Sequence, residues 1–100
     1  MPRLSDLVLK VRSKNAGPFW LTVDVFCGTR EAFESVSSRL TTETVSNLYR
    51  APAEAIKRFD IADLMVVKFS LPRPVIQGSR KDRDMHGAGW AVLLEEVLLD

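Results

Sequence analysis

The sequence predicts an α+β sandwich: a single, mostly antiparallel sheet with two helices on one face. Three observations carry this. Two runs near the start alternate apolar and polar residues and are joined by a link at 14–18 holding Asn15, Gly17 and Pro18, the grammar of a hairpin. Two stretches of helical period follow in succession, each with a threonine ahead of it. The two-residue period then returns before a long stretch that has no period at all.

Taken in order, residues 7–12 set Leu7, Leu9 and Val11 against Val8, Lys10 and Arg12, as a half-buried strand requires. Residues 19–27 set Phe19, Leu21, Val23, Val25 and Cys27 against Trp20, Thr22, Asp24 and Phe26. Thr29 suits the N-cap of a helix over 30–39, with Glu31 near its positive end and Phe33, Val36 and Leu40 on its apolar stripe. Thr41 or Thr42 caps a second helix, whose stripe is Val45, Leu48 and Tyr49 and which ends at Pro52. Residues 52–55 add one further helical turn, 56–59 a short strand and 60–63 a turn. Residues 64–71 form a stronger strand, with Met65, Val67, Phe69 and Leu71 opposite Leu64, Val66, Lys68 and Ser70, until Pro72 and Pro74 stop it. Residues 73–89 carry Arg73, Arg80, Lys81, Asp82, Arg83, Asp84, His86 and three glycines, a long loop of functional type. Residues 91–99 fit a helix through Leu93, Leu94, Val97 and Leu98, or a buried strand through Val92, Leu94 and 97–99, and the reading taken is a closing strand.

Composition bounds the function. One hundred residues, 46% apolar and 27% charged, make one domain over 1–100 with a modest core. A net charge of +1 supplies no global field for nucleic acid or an anionic membrane. No apolar run approaches the roughly 20 residues that span a bilayer, and no secretory leader is legible. The lone Cys27 offers no internal disulfide, so the expectation is a soluble, cytoplasmic protein. Neither a glycine-rich phosphate cradle, nor CxxC, nor HExxH, nor a nucleophile elbow is present, and neither a metal nor a cofactor is expected. His86 is the only histidine, which cannot make a metal site alone, and Cys27 falls on the apolar side of its strand, far in the pattern from His86. Trp20 is expected against a helix or a neighbouring subunit, because Phe19 occupies the other face of the strand.

Three separated segments, Val11-Arg12-Ser13-Lys14-Asn15-Ala16-Gly17-Pro18-Phe19, Leu71-Pro72-Arg73-Pro74 and Asp82-Arg83-Asp84-Met85-His86-Gly87-Ala88, resemble the family called domain of unknown function 4387 in their order and spacing. Members are typically encoded beside, or fused to, a large protein resembling the acyclic terpene utilisation protein AtuA. The small domain also resembles a shortened form of that protein's C-terminal ferredoxin-like domain, where an Arg-Ser-Gly-Asp-Lys-Gly-Asn segment stands in place of 12–17 and a Leu-Arg-x-Asp-x-x-Gly-Lys segment in place of 82–88. Arg12, Ser13, Arg83, Asp84 and Gly87 match residue by residue. Asn15-Ala16 departs from the pattern, and Ala88 stands where a lysine is usual, which removes any charge role of that lysine.

The resemblance implies a subunit rather than a free enzyme. It implies that the late loop returns onto the first turn, so that Arg12, Ser13, Lys14, Asn15, Gly17, Arg80 and Arg83, with Lys81 nearby, surround a carboxylate or phosphate. Backbone donors at 15–17 would add an anion nest, and Asp84 would orient Arg83 or His86. The leading expectation is an accessory subunit of an AtuA-like complex that handles a carboxylic acid or acyl thioester, with no nucleic acid and no membrane as partner. The alternatives are a structural homo-oligomer and, third, a stand-alone lyase or hydrolase using His86 and Asp84.

Overall fold

The computed structural model describes residues 2–17, 19–72 and 90–99. They form α1 (Leu4–Leu7), β1 (Lys10–Asn15), β2 (Trp20–Phe26), α2 (Arg30–Arg39), α3 (Thr42–Tyr49), β3 (Lys57–Ile61), β4 (Val66–Pro72) and α4 (Trp90–Glu95), with 3-10 turns at Ala53–Ala55 and Ala62–Leu64. The strands make one sheet in the order β1-β2-β4-β3, and every neighbouring pair is antiparallel. Two hairpins are docked through β2 and β4, with α2 and α3 in the connection between them. This is the α+β sandwich that the alternation and helical spacing predict.

Register decides which residues meet the helices. Val11 pairs with Val25 and Val25 with Val67, while Ser13 pairs with Val23 and Val23 with Phe69. These rows share one face, and there Val23, Val25, Val67, Phe69 and Leu71 are fully buried. Phe33 and Val36 of α2, Val45 and Tyr49 of α3, and Ala91 and Leu94 of α4 belong to the same core. Each such side chain withdrawn from water contributes roughly 1.5–3 kcal/mol, which is why the apolar stripes of the helices settle on this face. The helix starts are as read: Thr29 Oγ1 accepts from Ala32 N at 3.1 Å, and Thr41 Oγ1 from Thr44 N at 3.1 Å.

Four expectations are corrected. The first strand begins at Lys10 rather than residue 7, because Leu4 enters the core on a short helical turn whose Asp6 carboxylate accepts from Arg3 N. Leu9, for all its place in the alternation, is 72% exposed. The strong strand starts at Val66, since Met65 takes a left-handed conformation (φ 53°) at the end of a 3-10 turn. The closing segment is helical from Trp90 to Glu95, burying Ala91 and Leu94 and exposing Val92 and Leu93, with only an isolated bridge from Leu98 to Arg3 beyond it. Trp20, finally, lies on the sheet face opposite the helices, which removes the helix, but not a neighbouring subunit, from its two expected partners.

The β3 edge carries a charge cluster that the sequence pattern did not announce. Arg58 and Asp60 pair with Phe69 and Val67 and therefore face the helical layer. Arg58 Nη1 donates to Leu40 O at 2.6 Å and Nη2 to Ser37 O at 2.9 Å, meeting carbonyls that the end of α2 leaves without helical partners. Its Nε lies 2.7 Å from Asp60 Oδ1 and its Nη2 3.2 Å from Oδ2, a two-pronged pair. The guanidinium sits 5.5 Å from the centre of the Phe69 ring. Hydrogen bonding to Arg58, aided by its charge, holds the Asp60 carboxyl below its usual 3.8 against an opposing effect of burial.

Candidate functional site

Strand alternation separates the candidates on β1. Arg12 and Lys14 point away from the helices and are exposed, whereas Ser13 is buried on the helical side. Ser13 Oγ accepts a 2.8 Å hydrogen bond from Ala91 N in the first turn of α4. It thus supplies a partner to an amide that a helix start leaves unpaired, acting as a cap lent from another element. Asn15 lies half-buried on the Ser13 side at the end of the strand. The turn beyond it is closed by Ala16 N on Trp20 O at 2.9 Å, and Gly17 sits there at φ +87°. No heavy atom would meet a Cβ at Gly17, so its backbone angle and not crowding is what calls for glycine.

Arg12 and Lys14 are therefore brought together, and Ser13 is turned from them. Across the outer face Arg12 pairs with Asp24, Asp24 with Lys68 and Lys68 with Phe59, while Lys14 pairs with Thr22 and Lys10 with Phe26. The Lys10 ammonium lies 5.0 Å from the Phe26 ring centre. Arg12, Ser13, Lys14, Asp24 and Phe26 line a hollow of about 330 Å³ on this face. Its fixed acceptor is Asp24, whose Oδ1 is shut off from solvent and meets no hydrogen-bond donor among the described residues. The sequence reading assigned Asp24 no role; its signal was a lone acid in a strand whose neighbours on that face are aromatic or hydroxylic.

Arg80, Lys81, Arg83, Asp84, His86 and Gly87 lie outside the described residues. The two flanks of their segment are described, and both rest against the β1–β2 hairpin. Pro72 is in register with Trp20, and Ala91 is hydrogen-bonded to Ser13.

Other chemistry is set aside by its surroundings. Cys27 is 3% exposed, and burial first, then the Asp60 charge, pushes its thiol up to about 11, so the thiolate a nucleophile needs is scarce at neutral pH. Trp90 meets Tyr49 edge-on at 6.4 Å, and Tyr49 Oη donates to Trp90 O at 2.7 Å; both are packing residues. Burial raises the Tyr49 phenol far above its ordinary range, which keeps it a donor. Among the described residues no group of three or more His, Cys, Asp or Glu side chains could hold a metal ion, and no helix is long and apolar enough to cross a membrane.

Residues 4–97 match the family described as "Domain of unknown function (DUF4387)". The chain belongs to that family. The DUF4387 match runs from α1 through α4 and so takes in every strand of the sheet. No curated protein and no solved structure matches the chain.

Proposed function

We propose that this DUF4387 domain is a small accessory subunit of an AtuA-like complex that acts on a carboxylic acid or acyl thioester, and that it contributes an anion-binding site at the subunit junction. The observation that carries the reading is the hydrogen bond from Ala91 N to Ser13 Oγ, which fastens α4, the element that follows residue 89 in the chain, to the strand bearing Arg12 and Lys14. The opposite flank, Pro72, rests on the same hairpin through Trp20. Arg12 and Lys14 take part in neither of the ion pairs found among the described residues, Arg3 with Glu96 and Arg58 with Asp60, and so keep their charge for a ligand. The domain places cations on a rigid strand, which suits a subunit that binds and positions a ligand.

Co-expression with the large AtuA-like protein, followed by affinity capture of either chain, tests the assignment. The two are expected to co-purify, and a complex assembled with Arg12→Ala is expected to need about tenfold more acid substrate for half-saturation. Failure of the chains to associate with or without a carboxylate ligand overturns it. A homo-oligomer is the second reading, favoured by Phe59 (49% exposed) and Trp20 (39% exposed) on the uncovered sheet face. It predicts a stable dimer or higher state of the isolated chain in sedimentation, lost in Phe59→Ser.

A further inference from the structure

We infer that the hollow between Arg12, Lys14, Asp24 and Phe26 selects a small hydroxy acid, a carboxylate with a hydroxyl group on a nearby carbon, over the corresponding unsubstituted acid. The inference rests on the anion site proposed above and adds the chemistry of its second half. Asp24 Oδ1 is buried without a donor, and Asp24 is absent from both ion pairs of the described residues although Arg12 and Lys68 flank it in register. A buried acceptor left without a donor is costly, so a ligand that brings one is favoured there.

The same hollow asks for three things from its occupant. Arg12 and Lys14 on its rim call for an anionic group. Asp24 calls for a hydrogen-bond donor a few ångströms away, the spacing between neighbouring strands. Phe26, held beneath Lys10, presents an aromatic wall to an alkyl portion. An ammonium would satisfy Asp24 as well as a hydroxyl does, yet Arg12 and Lys68 beside the carboxylate and Lys14 on the next row make the surroundings cationic. A neutral hydroxyl escapes that repulsion, which favours a hydroxy acid over an amino acid. About 330 Å³ is room for a short-chain acid and not for a large cofactor.

The experiment is a titration of the full chain, alone and in complex with its large partner, with 3-hydroxybutyrate, butyrate and 3-aminobutyrate, followed by calorimetry and by amide shifts of β1 and β2. Expected is about five- to tenfold tighter binding of 3-hydroxybutyrate than of either other acid, the effect of one hydrogen bond to a charged acceptor. Asp24→Ala should remove that preference, so that 3-hydroxybutyrate and butyrate bind with equal affinity. Asp24→Val, whose branched side chain suits a strand, serves if the alanine variant does not fold. Equal affinities for the hydroxy and plain acids in the unaltered chain, or a preference that survives both Asp24 variants, overturn the inference and leave the anion site standing. Binding of none of the three acids, alone or in the complex, overturns both. Tightest binding of 3-aminobutyrate overturns the choice of a hydroxyl.

Discussion

The two edges of the sheet are fastened to the helical layer by different means, and the difference separates charge used for structure from charge left for recognition. At the β3 edge an arginine is turned inward, where Arg58 grips the last carbonyls of α2 and an aspartate of its own strand. At the β1 edge the inward residue is a serine, whose hydroxyl receives one amide of α4, and the cations Arg12 and Lys14 stay on the open face. A guanidinium with four of its five N–H donors engaged has little left to offer a ligand. The β1 edge, fastened by a neutral group, keeps its cations for a guest.

That contrast can be broken by measurement, beginning with the edge that carries more. Arg58→Ala should destabilise the fold by about 3 kcal/mol in chemical denaturation, because it strips the α2 carbonyls and leaves Asp60 without its counter-charge. A loss under 1 kcal/mol would place the β3 cluster on a level with an ordinary surface pair. At the other edge, Ser13→Ala should cost about 2 kcal/mol by leaving the Ala91 amide buried and unmet, whereas Arg12→Ala next to it should change stability by less than about 0.5 kcal/mol. If Arg12→Ala destabilises as much as Ser13→Ala, the open-face cation is structural and the contrast fails.

The smallest expected effect is the dependence on acid. The folded carboxyl of Asp60 titrates below its unfolded value of 3.8, so its contribution is complete above that pH and disappears as the pH falls through the folded value. Asp60→Asn should therefore flatten the fall in melting temperature as the pH drops below 3.8 while leaving other carboxylates to act. An identical slope in both proteins would remove Asp60 from the acid response.

The fold was legible where one physical pattern acted alone. The alternation in β2 and the threonine-led helices at 30–39 and 42–49 are local signals, and they stand as read. The ends of the chain were less legible, because their pattern fits two structures. Leu7 and Leu9 have strand spacing, but the core took Leu4 instead, and its amide bonds to Val97 O at 2.8 Å. The final segment became a helix because a partner for its first turn waits on β1, a fact with no trace in residues 91–99 themselves. At the site, alternation implies that Arg12 and Ser13 point apart, and the structure adds that the Ser13 hydroxyl is engaged by Ala91 N. Asp24 went unnoticed because its meaning comes from its cross-strand neighbours, which only the register of β1, β2 and β4 reveals.

The ends of the domain are stitched to each other. Leu99 N donates to Pro2 O at 2.9 Å, and Arg3 and Leu98 form a bridge. Head and tail leave from one spot, so the domain can be carried as an insert within a host protein, or re-cut with its original ends linked by a few residues and new ones opened at the exposed 52–54 turn, without unpicking any strand pairing.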